Sequence, residues 1–288
     1  LIYNGQIVGE RYAPGVTIHS PLMGWSMTKS LTNALVSRLV LKGKLKIEDP
    51  APVAEWQNDE RKNITLNNLM QASSGLEWNE SYFAPGHFHN MFMHSDDKGG
   101  YAASQKLKYP IGTHWEYSSG TSNLLSNITR QAVGDENYPQ FAYEDFFYRI
   151  GMLHTLIEPD GSGTFVGSSY GYASARDWAR FGLLFLNDGM LQGERILPEG
   201  WTQYSSIPAP AAPIGEYGAQ FWLNAGAKGN PSKSYHPGIP NDEYGAEGFE
   251  QQFVFIIPSR KLVIVRLGIS HHGFDMTGLT QRVISALP

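Results

Sequence analysis

Ser26 and Lys29 stand three residues apart in the segment Gly24-Trp25-Ser26-Met27-Thr28-Lys29-Ser30. On a helix that spacing puts both side chains on one face, a turn apart. A serine hydroxyl is a weak nucleophile until a neighbouring group takes its proton. A lysine one turn away can take it, or can hold a phenolate that does. A helix start adds backbone N–H groups and the positive end of the helix dipole, both of which favour developing negative charge. The chemistry on offer is acyl transfer through the Ser26 hydroxyl.

A pattern of two common residue types needs support from its surroundings, and the chain contains its own control. Ser95-Asp96-Asp97-Lys98 has the same spacing, but it is polar and runs into Gly99-Gly100, which reads as loop. Ser26 is followed by Leu31, Ala34, Leu35, Leu39 and Val40, the apolar spacing of an amphipathic helix over 26–42, with Gly43 as its stop. The plainer alternative makes Ser26 a helix-start residue and Lys29 a solvated side chain.

The elements that would position this pair follow from the rest of the chain. Its 288 residues, 41% hydrophobic and 17% charged, suffice for a sizeable core in one large domain or two joined lobes. The net charge of −5 and the lack of a long basic run argue against nucleic-acid binding. With no cysteine there is no disulfide framework, thiol nucleophile or cysteine metal site. No apolar run approaches the ~18 residues of a membrane span. Residues 1–12 read as a hairpin around Asn4-Gly5 that is already under way at Leu1, so a preceding segment is expected, which leaves the compartment open, export or anchoring included.

Helices are expected over 64–71, 121–133, 141–150, 174–186 and 276–287, and strands over 218–223, 252–257 and 262–267. Residues 78–101, aromatic, His-rich and acidic, read as a long loop or lid. Strands at both ends with helices between imply an α/β (α+β) fold: one antiparallel sheet built from both termini, flanked by helices, with a mostly helical insertion. Residues 1–60 and 165–288 would form the sheet lobe and 61–164 the helical lobe, with the site between them.

Two further segments could complete the chemistry. Tyr117-Ser118-Ser119 follows the turn Pro110-Ile111-Gly112 and precedes a helix, whereas Tyr204-Ser205-Ser206 runs into Ile207-Pro208 with no helix after it. Ala246-Glu247-Gly248-Phe249 precedes the terminal hairpin, and His236-Pro237-Gly238 lies in a Pro/Gly-rich loop. This ordered set resembles the serine β-lactamase and penicillin-binding protein family, whose Ser-x-x-Lys is followed by a Tyr-x-Asn motif and then Lys-Thr-Gly or His-x-Gly on a strand. Ser73-Ser74-Gly75-Leu76 and the segment Tyr170 to Gly182 look like structural segments of the same family. The likeness runs nearly the whole chain and is strongest to the class C-like esterases and amidases, including 6-aminohexanoate-dimer hydrolases. Of the two candidates for the third motif, the Ala246 segment is favoured, because the role needs an edge strand with N–H groups facing the cleft.

The resemblance implies an acyl-enzyme cycle with Ser26 as nucleophile and Lys29 and Tyr117 handling its proton, either of them serving as the formal base. It implies the N–H groups of Ser26 and Phe249 as oxyanion donors, Ser119 as a partner of Lys29, and Gly248 and Glu247 beside the substrate. It requires no cofactor or metal. Ser119 replaces the family's Asn and Ala246 its Lys, so a small ester or amide is expected as substrate in preference to a β-lactam. Glu77, Glu80, Asp96 and Asp97 make the lid acidic, which would suit a cationic amine on the substrate.

Rival readings remain. Gly167-Ser168-Ser169-Tyr170-Gly171 matches the nucleophile elbow of α/β-hydrolases, but only Thr164-Phe165-Val166 leads into it and the clear helix begins near Ser174. His87, His89 and His94 with Asp96 have spacings seen in zinc sites, and also in ordinary aromatic loops. His271-His272 read as a strand-end turn, and His114 stands near Tyr117 in sequence. A binder or penicillin sensor on the same fold is the non-enzyme alternative.

Overall fold

The computed structural model describes residues 1–227, 230–271 and 273–288. The chain opens with β1 (Ile2–Tyr3) and β2 (Gln6–Ile7). They turn at Asn4 and Gly5, whose φ values of 48° and 77° are what a two-residue primed hairpin turn demands. After β3 (Leu22–Met23), a tight turn at Trp25–Met27 leads into α1 (Thr28–Leu41), and Gly43 at φ 67° ends it. There follow α2 (Leu66–Met70), α3 (His87–His94), α4 (Lys98–Ala103), α5 (Ser119–Val133) and α6 (Tyr138–Ala142). Two further turns carry α6 on to Ile150 and Gly151. Next come β4 (Thr155–Ile157), β5 (Gly171–Ala173), α7 (Ala175–Leu186), β6 (Met190–Leu191), β7 (Glu194–Arg195) and α8 (Trp201–Ser206). The chain closes with β8 (Trp222–Leu223), β9 (Tyr244–Gly248), β10 (Gln252–Ile257), β11 (Leu262–Arg266) and α9 (Met276–Ala286).

The main sheet is antiparallel, six-stranded and ordered β2-β1-β11-β10-β9-β8, so both chain ends build it as expected. β10 is buried along its whole length because both faces are covered. Side chains alternate across a strand. Val254 and Ile256 accordingly enter the main core with Phe181 and Phe185 of α7, while Phe253, Phe255 and Ile257 meet Leu279 and Val283 of α9 on the other face. The strand expected over 218–223 pairs with β9 only at Trp222–Leu223. Among the described residues no helix is long and apolar enough to cross a membrane.

Two expectations are corrected. The helix after Ser26 is not amphipathic: every residue of α1 from Thr28 to Leu39 is buried. Its polar side chains are satisfied inside the protein instead of by water. Thr32 donates to the Gly167 carbonyl (2.7 Å), and Arg38 pairs with Asp145 (3.1 Å). Asn33 donates to Ser205 Oγ (3.0 Å) and the Ala219 carbonyl (2.7 Å), and accepts from Trp201 Nε1 (2.9 Å). Nor are residues 78–101 a structureless lid. Phe88, Met91 and Phe92 have helical spacing on α3, obscured by the intervening histidines, and Met91 is fully buried. Asp97 caps α4 through the Gly100 N–H (2.8 Å), leaving Ser95 outside the helix. Gly99 lets α4 lie close on α5, where a Cβ would come within 2.8 Å of Asn127, and Gly100 leaves room for the capping Asp97 carboxylate. Tyr204-Ser205-Ser206 is itself helical, in α8, with Tyr204 donating to Asn67 (2.8 Å).

Asn33 ties α1 both to α8 and to the Ala219 strand approach. Asn33→Ala is expected to destabilise the fold by about 2–4 kcal/mol by orphaning buried partners, read as a lower urea midpoint with unchanged slope.

Candidate active site

The nucleophile turn is held from several sides. Trp25 adopts φ 50°, a left-handed conformation unusual for so bulky a residue and of the kind found at functional sites. Gly24 N–H donates to the Gly171 carbonyl (2.8 Å), Thr28 Oγ1 donates to the Trp25 carbonyl (2.6 Å), and Gly171 N–H donates back to Thr28 Oγ1 (2.9 Å). The residues around Ser26 are therefore locked to β5.

Lys29 is 2% exposed. Its ammonium has three protons and three acceptors: Ser26 Oγ (3.2 Å), Ser119 Oγ (3.0 Å) and the Ser168 carbonyl (3.1 Å). Burial lowers its pKa to about 8, with the Glu80 charge pushing the other way. Lys29 Nζ also lies 4.7 Å from the centre of the Tyr117 ring.

Glu80 is the residue that sequence reasoning placed in an acidic lid and did not bring to the site. Its carboxylate accepts from the Ser119 hydroxyl, from the Ser119 N–H (2.8 Å) and from Trp78 Nε1 (2.6 Å). A chain Glu80–Ser119–Lys29–Ser26 results, in which the carboxylate polarises a hydroxyl that accepts from the ammonium. The Trp-x-Glu spacing carried a signal, since a buried indole N–H needs an acceptor.

Tyr117 stands on the strandless approach to α5, its ring packed by Trp222 (5.2 Å) and Tyr217 (5.8 Å). Tyr117 is half-buried, and burial raises the phenol pKa well above its ordinary value, reinforced by Tyr217, Tyr82 and Glu80. A hydrogen bond to Ser26 opposes that shift. Tyr82, also missed, faces Ser26 and Glu80, and its phenol is likewise raised by burial. Both tyrosines are therefore neutral phenols over the ordinary pH range.

The third wall is the end of β9. β8 pairs only as far as Gly245, so Ala246 to Gly248 run unpaired on that side, as an edge would. Gly248 abuts the Gly24 carbonyl so tightly that any Cβ would collide with it, which brings Phe249 beside the nucleophile turn. The Phe249 and Trp25 rings meet edge to face at 5.7 Å. Glu247 turns instead to His236, its Oε1 2.8 Å from Nε2, and does not line the cleft beside Ser26. The two rival third-motif segments are thus hydrogen-bonded to each other.

Ser26, Phe249 and Ser169 border one cavity of about 330 Å³. Ser169 contacts Ser168 Oγ (3.0 Å), and the chain then enters β5 with no helix starting at the serine, so the elbow geometry is absent there. His114 stacks on Tyr109 (3.9 Å) near Glu116 (3.5 Å), away from that cavity. Among the described residues no three His, Asp or Glu side chains converge as metal ligands. His87 stacks on Trp78 (5.6 Å). His271 sits in a turn 3.5 Å from Glu250, and His272 lies outside the described residues.

A model of the Beta-lactamase family matches residues 1–286. A 6-aminohexanoate-dimer hydrolase of Paenarthrobacter ureafaciens is 23% identical over 301 aligned positions, covering 93% of this chain and 71% of that one. A solved Bacillus anthracis protein provisionally assigned as a 6-aminohexanoate-dimer hydrolase superposes with a TM-score of 0.77 at 23% identity, over 99% of this chain and 76% of that one. A family VIII carboxylesterase superposes at 0.69 with 16% identity, over 92% and 83%. At these identities the solved structures establish a shared fold.

Lys29 is expected to titrate near pH 8, its neutral form growing as pH rises. The rate at which a fluorophosphonate labels Ser26 should therefore climb through about pH 8. Because Glu80 raises the Lys29 pKa, Glu80→Gln should move that limb to lower pH. A limb unmoved by Glu80→Gln would exclude this coupling.

Proposed function

This chain belongs to the beta-lactamase family, and from that premise we propose that it hydrolyses small esters or amides through an acyl-enzyme on Ser26. The observation that carries the reading is the buried Lys29 ammonium, 3.2 Å from Ser26 Oγ and held on its other sides by Ser119 and the Ser168 carbonyl. A lysine with a pKa of about 8 supplies neutral amine near neutrality, whereas burial disfavours the Tyr117 phenolate. Lys29 is accordingly the base and Tyr117 the phenol that passes a proton onward.

In the forward step the Ser26 proton moves to Lys29 Nζ as Oγ bonds to the substrate carbonyl carbon. The oxygen that gains the charge is met by the N–H groups of Ser26 and Phe249. Collapse breaks the bond to the leaving group, which takes a proton from Tyr117 as Lys29 returns one to it. Water then repeats the sequence: its proton goes to Lys29, its oxygen bonds to the acyl carbon, and Ser26 leaves protonated. Glu80 and Ser119 act as positioning residues through Lys29.

Two features support an ester or amide in preference to a β-lactam. Ser119 has no side-chain amide to grip an acylamino group, and its hydroxyl is already engaged by Lys29 and Glu80. Ala246 is an uncharged, buried residue where the family carries a cation. Each lost contact weakens a β-lactam's transition state by ~1–3 kcal/mol.

With p-nitrophenyl acetate and a fluorophosphonate probe, the wild type should turn over and be labelled at Ser26, and Ser26→Ala should do neither. Wild-type turnover by Ser26→Ala would overturn the reading and point to Ser169. Labelling at Ser26 with no turnover would favour the sensor instead. Hydrolysis of a chromogenic cephalosporin should run at least about a hundredfold slower than that of the ester.

A further inference from the structure

We infer, on the premise of the Ser26 acyl-enzyme proposed above, that the acyl part of the substrate is an uncharged, apolar chain or ring seated in the aromatic cavity beside Ser26. The cavity of about 330 Å³ has no ionised side chain in its wall. Its rings form a continuous series: Trp25 to Phe249 (5.7 Å), Phe249 to Tyr82 (5.7 Å), Tyr82 to Phe88 (4.7 Å), Phe88 to Phe92 (4.6 Å) and Phe92 to Tyr170 (5.6 Å). Half of these rings, Tyr82, Phe88 and Phe92, come from α3 and the turn before it, the stretch whose acidic residues suggested affinity for an amine.

The carboxylates do not bring that affinity to this cavity. Glu77 pairs with Lys108 (3.4 Å). Glu80 is taken up by Ser119 and Trp78. Asp97 caps α4, and the Asp96 side chain abuts Gly161. None lines the cavity, and no lysine or arginine does either. A charged group moved into such a site loses its water without gaining a partner.

The chemistry also assigns the side of the substrate. The leaving group must receive its proton from the Lys29 and Tyr117 wall, and neither residue lines this cavity. The group that stays on Ser26 is therefore the one that faces the rings. Each methylene buried there adds a severalfold gain in binding.

The test holds length and leaving group constant and varies only the end of the chain: p-nitrophenyl hexanoate, p-nitrophenyl 6-aminohexanoate and mono-p-nitrophenyl adipate. Both p-nitrophenolate release and Ser26 acylation by intact-protein mass are followed. The hexanoate is expected to exceed each charged ester by about tenfold or more in kcat/KM. Phe92→Ala should shrink that preference severalfold, through a higher KM for the hexanoate. Equal rates, or a faster aminohexanoyl ester, would overturn the assignment while leaving the Ser26 chemistry intact. If no ester acylates Ser26, the acyl-enzyme reading itself fails and this assignment with it.

Discussion

A lysine ammonium withdrawn from water must find an acceptor for each of its three protons, or give a proton up. Lys29 stands at that balance. Its acceptors come from the turn before α1, from the first residue of α5 and from the carbonyl of Ser168 just ahead of β5. Three segments distant in sequence must therefore meet within hydrogen-bond reach of one nitrogen. α1 is buried on its other faces as well, from Thr28 to Leu39. Its remaining polar side chains become ties to the surrounding elements.

The countercharge reaches Lys29 indirectly. Glu80 does not touch the ammonium; it holds Ser119 by hydroxyl and backbone N–H and acts on Lys29 from one residue further out. A direct ion pair would stabilise the ammonium more strongly and remove its value as a base. Interposing a hydroxyl keeps the charge close enough to hold the side chain in place, yet leaves the pKa near 8. The cleft thereby divides into a polar wall that manages protons and an aromatic wall that carries no charge, with Ser26 at their junction.

The misread elements share a cause. Apolar spacing on one side of α1 suggested water on the other, because local pattern cannot show that Asn33 and Arg38 have protein partners. In 78–101 the histidines and acids masked the helical spacing of Phe88, Met91 and Phe92, and Gly99-Gly100 looked like a break where Gly99 permits close contact with α5 and Gly100 makes room for the Asp97 cap. Four acidic residues in one stretch suggested a charged lid, but Glu77, Glu80 and Asp97 each have their own partner and Asp96 packs beside Gly161, and a composition says nothing about direction.

What the sequence determined by itself is what covalent spacing and local geometry enforce. Ser26 and Lys29 share a face because they are three residues apart on a helix, Asn4-Gly5 turns a hairpin because both residues tolerate positive φ, and the short apolar runs of β10 and β11 on either side of a turn read as strands. The order of the motifs also pointed to Tyr117, Ser119 and Phe249. Only the tertiary structure decided that Ser119, 90 residues from Lys29, and Ser168, 139 residues away, accept from the same nitrogen. It alone brought Glu80 and Tyr82 to the nucleophile, paired Glu247 with His236, and turned an acidic stretch into an apolar wall. The physical reason is that a side chain's charge state and partners depend on which distant segments exclude its water, and that is a property of the packed chain as a whole.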